Sequence, residues 1–331
     1  MQQCHRHSRA RRSPRPRWPA RARALAPATL YVVSTPVGNL RDITLRALDV
    51  LGACDAILCE DSRATRRLLT AHGLVPAGDG EFDDASWDEA VPAAAAAAAA
   101  APRLLIGGAK PEAALARLRL GQSLALVSDA GTPCLSDPGA RIVAAARSGG
   151  FKVCAVPGAS AALAALAVSG WDVHAHYSSG RSGAGERAAA ARKRRRAAAA
   201  GFGAPLEPAA MGPDAVISSP GFVFLGFLPP KGSARRAQVS SIASEPGTCT
   251  RTVLLFEAGA RLARTLRDID AAAQPGLPRA VLVCRELTKL HEESRRFASL
   301  AEAAEALEAD GAELRGEFTI LVSPALAAAT A

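Results

Sequence analysis

Residues 125–140 read ALVSDAGTPCLSDPGA. Ala125, Leu126 and Val127 form the short apolar run of a buried parallel strand. The chain then breaks into turn formers, Ser128 to Pro133 and Asp137-Pro138-Gly139, before a helical stretch resumes over 140–147. Small residues at the carboxyl end of a parallel strand let backbone approach a ligand with no side chain in the way, which is how open α/β sheets build sites. Taken alone, the same stretch also reads as a plain strand-to-helix turn.

Two neighbours repeat the pattern. TLYVVSTP (29–36) runs into Pro36, Val37 and Gly38, and FKVCAVPG (151–158) runs into Pro157, Gly158, Ala159 and Ser160. Strands and helices alternate between and beyond them. A helix over 39–54 is opened by Asn39 or Asp42, AILCED (56–61) is a strand, and helices follow over 65–72 and near 112–119. ASAALAALAVSG (159–170) is helical. Further on, GFVFLGFLP, TRTVLLFEA, RAVLVCREL, RRFASL and GEFTILVSPA read as strands with helices between them. The first half is therefore mainly parallel and the second half mixed, which predicts an α/β protein of two domains, 29–150 and 151–325, sharing a cleft.

The net charge of +9 sits in two appendages. Arginines 6, 9, 11, 12, 15, 17, 21 and 23 precede the first acid, Asp42. An Arg-, Ala-, Ser- and Pro-rich leader over 1–28 without acids has the composition of an organellar transit peptide, chloroplast or mitochondrial, with a basic nucleic-acid-binding arm as the alternative. A low-complexity insertion at about 172–219 carries the second basic block, Arg181 to Arg196. Its GAGERA follows no strand and is a poor dinucleotide fingerprint. The alanine tract over 91–102 reads as a solvated helix or linker. Seven cysteines without a C-x-x-C pair read as reduced structural thiols. His174 and His176 make too poor a set for a metal, and none is expected. No segment reads as a transmembrane helix, because Pro157-Gly158 splits the most apolar one.

The segments over 34–74, 125–170 and 221–236, with RELTKLHEE (285–293) and GEFTILV (316–322), closely resemble the ribosomal small-subunit methyltransferase I family, cytidine 2′-O-methyltransferases of 16S ribosomal RNA. The resemblance runs from about Leu30 to Pro324. It implies the tetrapyrrole-methylase fold, two α/β domains with S-adenosylmethionine in the cleft between them, and a homodimer. The partner it implies is small-subunit ribosomal RNA or the assembled small subunit, with no membrane. The implied cofactor residues are Pro36, Val37, Gly38, Asp129, Ala130, Gly131, Thr132, Pro133, Pro157, Gly158 and Ser160. Their small side chains and backbone groups suit a cofactor with an amino acid end, an adenosine and a reactive methyl.

CEDSRATRRLL (59–69) places two acids at a strand end before a basic helix. Glu60 or Asp61 is a candidate acceptor for the proton of a ribose hydroxyl, and Arg63 and Arg66 are candidate phosphate ligands. Asp61 or Ser62 as a helix cap is the structural alternative. In RELTKLHEE, Lys289 is a third catalytic candidate and Arg285 a third RNA ligand, with Glu286 and Glu292 beside them and surface ion pairing as the alternative.

The chain also departs from the family. The stretch over 75–102 contains no His or Asn, Glu257-Ala258-Gly259-Ala260-Arg261 stands where Glu-Ser-Pro-His-Arg is usual, and a small carboxyl-terminal segment is missing. These departures touch substrate contacts and leave the cofactor loops intact. A ribosome-associated binding protein without catalysis, or a tetrapyrrole methyltransferase, is therefore the competing expectation.

Overall fold

The computed structural model describes residues 25–74, 104–107, 110–173, 217, 219–275, 277–309 and 314–325. The leader up to residue 24, the alanine tract, His174, His176 and GAGERA lie outside them.

The first sheet contains β1 (Thr29–Val33), β2 (Ala56–Cys59), β3 (Leu104–Gly107), β4 (Leu124–Leu126) and β5 (Lys152–Val156), in the order β3-β2-β4-β1-β5. Every pair is parallel. Parallel sheets need helices on both faces, and the alternation of side chains supplies two apolar surfaces. Val33, Ile57, Cys59 and Ala125 pack against α1 (Leu45–Ala53) and α2 (Ser62–Ala71). Leu30, Ala56, Leu58 and Leu124 pack on the other face against α3 (Pro111–Arg119) and α4 (Ala140–Ser148).

The second sheet has the order β6-β7-β10-β8-β9. Its strands are β6 (Phe222–Phe227), β7 (Thr252–Ala258), β8 (Val281–Arg285), β9 (Glu293–Phe297) and β10 (Glu317–Val322). Only β6 and β7 pair in parallel; β10 runs antiparallel to β7 and β8, and β8 to β9. The carboxyl ends of β6, β7 and β8 thus share one edge. α6 (Gly232–Ser244), the short α7 (Pro246–Cys249), α8 (Gly259–Ala272) and α9 (Leu300–Ala309) complete the second half, and α6, α8 and α9 build the core on one face of the sheet. The other face is covered by α5 (Ala161–Val168), through Ala162 and Ala165 against Leu254, Leu282 and Leu321.

Several expectations need correction. β5 belongs to the first sheet, so the chain changes sheets between Val156 and Ala161, later than a division at 150/151. Neither Asn39 nor Asp42 opens α1: Asn39 caps a 3₁₀ turn over Leu40–Asp42, and Thr44 caps α1 by accepting from the Ala47 N–H. α2 starts at Ser62 rather than Thr65, because Asp61 accepts from the Arg63 N–H. The edge strand β3 was not expected, since its apolar run is only three residues long, Leu104 to Ile106, and follows directly on the alanine tract.

Candidate active site

The three Gly/Pro strand ends meet as one floor. Thr35 N–H donates to Gly131 O at 2.8 Å and Gly131 N–H returns a bond to Thr35 O at 3.1 Å. The buried Thr35 hydroxyl donates to Ser128 O. Thr132 Oγ1 donates to Ala159 O at 3.0 Å and lies 3.1 Å from Ser34 Oγ, while Ser34 N–H bonds Val156 O. Pro36, Val37, Pro133 and Ser160 are buried in this floor, and Gly38, Asp129, Ala130, Pro157 and Gly158 form its exposed surface.

Glycine is required where the turns touch. Gly131 has φ +83°, and a Cβ there would sit 3.3 Å from Val37 Cγ1. A Cβ on Gly158 would meet Ser34 Cβ at 3.0 Å. Ser160 precedes α5, yet its hydroxyl makes no capping bond and is buried without a hydrogen-bond partner. Such an orphaned group marks a site or a strain reservoir.

Acids gather beside this floor. Asp129 Oδ1 accepts the Asp61 N–H at 3.0 Å, joining the ends of β2 and β4. Burial holds the Glu60 carboxyl above its ordinary value, and the charges of Asp129, Asp137 and Asp61 push it the same way. Burial also raises Asp137, against a hydrogen bond from Ser128. Asp61 differs. It accepts Arg63 Nε at 3.2 Å and Nη2 at 3.1 Å besides the Arg63 N–H, and these bonds hold its pKa below the ordinary value. Of the two adjacent acids, Asp61 caps α2, and Glu60 is the one whose carboxyl is held above its ordinary value. Arg63, the candidate phosphate ligand, is turned onto Asp61, and Arg66 lies half-buried on α2.

The second domain brings Lys289 to the floor and leaves Arg285 away from it. Lys289 Nζ lies 3.0 Å from both Glu286 Oε1 and Glu317 Oε2. Burial works against its charge, but the bonds to Glu317 and Glu286 outweigh it and raise its pKa, so Lys289 is a fixed cation and no proton acceptor. Arg285 donates to Arg315 O and lines a separate pocket with Val283, Glu293, Arg295, Leu307, Leu314 and Phe318. A second contact between the domains joins Ser136 to Gly226, where a Cβ would collide with Ser136 Oγ.

The altered 257–261 segment is a buried network. Glu257 accepts from Thr265 Oγ1 at 2.7 Å and pairs with Arg261 at 2.5 Å. Thr265 accepts from Arg235 Nη2 at 3.0 Å, and Arg235 reaches Asp268 at 2.7 Å. Gly259 packs directly under the Leu314 carbonyl, leaving no room for a side chain. Sequence reasoning missed Ser34, Thr35, Ser128 and Thr288 in and around the floor. Thr35 and Thr288 bond backbone distant in sequence and Ser34 pairs with the distant Thr132 hydroxyl, which leaves no local pattern, whereas Ser128 bonds the Ala130 and Gly131 carbonyls of its own turn.

Among the described residues, no group of three or more His, Cys, Asp or Glu is arranged to hold a metal, and the described cysteines are free thiols. No helix among them is long and apolar enough to cross a membrane.

Two parallel-to-mixed α/β domains with a floor of glycine turns at the strand ends define a methyltransferase of the tetrapyrrole methylase class, and the profile of the Tetrapyrrole (Corrin/Porphyrin) Methylases matches residues 29–206. The chain is 34% identical to the ribosomal RNA small subunit methyltransferase I of Mesorhizobium japonicum, over 93% of this chain and 79% of that one. The Xylella fastidiosa protein of the same name is also 34% identical, over 90% and 82%. The chain belongs to the ribosomal RNA small subunit methyltransferase I family. Among solved structures, a cobalt precorrin-4 methyltransferase of cobalamin biosynthesis aligns with TM-score 0.49 at 18% identity, covering 89% of this chain and 95% of that one. A Thermus thermophilus uroporphyrin-III C-methyltransferase complexed with S-adenosylhomocysteine aligns with TM-score 0.47 at 13% identity, over 89% and 97%.

The cofactor of this family of methyltransferases is S-adenosylmethionine, and the residues fit it. Gly131 and Gly158 let the turns pack closely on Val37 and Ser34, Ser160 Oγ is an unused polar group, and the acids beside Asp129 suit a ligand carrying positive charge.

Proposed function

We propose that this chain methylates the ribose 2′-oxygen of a cytidine in small-subunit ribosomal RNA, in an organelle, as a homodimer. The similarity over 93% of its length to a protein named for ribosomal RNA small-subunit methylation supports the substrate class. The joined floor of three glycine turns beside Glu60 carries the reading. When bound, S-adenosylmethionine supplies an electrophilic methyl group on a sulfonium. Pro36 to Gly38, Asp129 to Pro133 and Pro157 to Ser160 hold and orient the donor. Glu60 accepts the proton of the ribose hydroxyl at its carboxylate. A raised pKa suits that work, because a base is most effective when its pKa lies near the operating pH. Alignment of donor and acceptor supplies the larger share of the acceleration, up to about 7–11 kcal/mol in the best intramolecular cases. Arg63 and Arg66 bind RNA phosphates from α2, Arg63 by leaving Asp61 or through the N–H groups that Asp61 does not use.

The test is methyl transfer to small-subunit particles lacking their ribose methyl groups, followed by mapping of 2′-O-methylated positions. A single new ribose methyl at a cytidine is the expected product. Methylation of a base, or of a tetrapyrrole in place of RNA, would overturn the reading.

A further inference from the structure

The loop over 285–292 belongs to the second domain but is built onto the first. Its backbone is strained: Glu286 has φ +49° and Thr288 φ +66°, a conformation a β-branched residue rarely adopts. Such strain persists only where the surroundings over-determine it. Here Glu286 N–H bonds Glu317 O at 3.0 Å, Glu317 N–H returns to Glu286 Oε1 at 2.8 Å, and Thr288 N–H bonds Glu292 Oε2 at 2.8 Å.

What this loop presents to the first domain is the stem of Lys289. A Cβ on Gly38 would run into Lys289 Cγ and approach Cε to 2.9 Å and Cδ to 3.1 Å, so the methylene chain lies flat on the Gly38 backbone. One residue along, Asn39 N–H donates to Thr288 Oγ1 at 3.1 Å. The Lys289 ammonium is held at its far end by Glu286 and Glu317, which keeps the stem from swinging away. With both carboxylates bound to it, the ammonium is committed within the second domain, and the part of Lys289 that acts on the first domain is apolar.

We propose that Lys289 is a positioning residue for the methyl donor: its stem braces the Pro36–Gly38 turn from the opposite domain and holds it in the donor-binding shape. The assignment rests on the reading of that turn as part of the donor floor. Donor affinity is then set by a contact between the two domains, in addition to the residues of the floor itself.

Calorimetric titration of S-adenosylhomocysteine into the full chain tests this, with thermal melts as a check on folding. Lys289→Ala and Gly38→Ala should each weaken binding by roughly fivefold or more, the lower range of couplings between distinct sites. Lys289→Met, which keeps a stem of similar length but loses the ammonium anchor to Glu286 and Glu317, should fall between wild type and Lys289→Ala. In the double variant Lys289→Ala/Gly38→Ala the added methyl finds room, so its affinity should be no worse than that of Lys289→Ala. Wild-type affinity in Lys289→Ala, equal losses in the Met and Ala variants, or additive losses in the double variant would each overturn the assignment. A wild-type protein that fails to bind S-adenosylhomocysteine would remove the donor reading itself.

Discussion

Thr35 and Gly131 exchange both of their backbone hydrogen bonds, across 96 positions of sequence. This reciprocal pair extends the β1–β4 neighbourhood beyond the last regular ladder bond, and it joins two of the three glycine turns.

Gly131→Val should abolish S-adenosylhomocysteine binding. The left-handed backbone costs a residue with a Cβ about 1–2 kcal/mol, and the branched side chain would also press on Val37, which lies 3.3 Å from the Cβ position. Gly131→Ala should show a smaller loss. Calorimetry on both variants checks this; undiminished affinity in a folded Val variant would remove the loop from the site.

Glu60 and Asp61 should separate in both rate and stability. The Glu60 pKa is raised, so kcat should fall as pH drops through that raised value, where the carboxylate becomes protonated. Glu60→Gln should lower kcat with donor binding intact. It should not lower the melting temperature near neutral pH, because a carboxylate of raised pKa opposes folding while it is ionised. Asp61 has a depressed pKa, so its contribution is present above its ordinary value of 3.8 and is lost as pH falls through the depressed one. Asp61→Asn should therefore lower the melting temperature at neutral pH, and the difference should shrink in acid. Initial rates and melts across pH on both variants decide; full kcat in Glu60→Gln would rule out Glu60 as the acceptor.

Thr265→Val should destabilise the second domain by about 1–3 kcal/mol, the usual cost of leaving buried polar partners unmet. Glu257 Oε2 and Arg235 Nη2 both lose their bond to the hydroxyl, and Thr265 has no solvent exposure through which water could replace it. Urea unfolding measures the change. A loss below a few tenths of a kcal/mol would mean the network relaxes onto Arg261 and Asp268.

A fluorescent reporter fused to residues 1–28 should enter a mitochondrion or chloroplast. The eight arginines and the absence of acids in that stretch motivate the expectation. Fluorescence confined to cytosol or nucleus would favour a basic RNA-binding arm.

The three glycine turns were legible because each announces itself locally: an apolar run, then Pro or Gly within a few positions. Glu60 was legible as an acid at a strand end, but its separation from Asp61 was not, because it depends on which of the two faces Arg63. The surroundings of Arg285 were not legible for a related reason. Glu286, past the end of β8 with a left-handed backbone, turns toward Lys289, while Arg285, the last residue of β8, turns to the Arg315 carbonyl, and the point where strand gives way to turn decides the two directions. The Gly38–Lys289 and Ser136–Gly226 contacts leave no trace in the sequence. Each joins elements of different domains, the second reaching into β6, and nothing within a few residues of either position encodes the partner.

The short turn from Pro157 to Ser160 is fastened at both ends to different bodies. Behind it, the Val156 carbonyl is bonded to Ser34 in the first sheet; ahead of it, Ala162 and Ala165 are sunk in the core of the second. A displacement between the two sheets has few places to go along the chain, and this four-residue link is one of them. Any change in the spacing of the two sheets would therefore act on Pro157–Ser160, a turn that the proposed function assigns to the methyl donor.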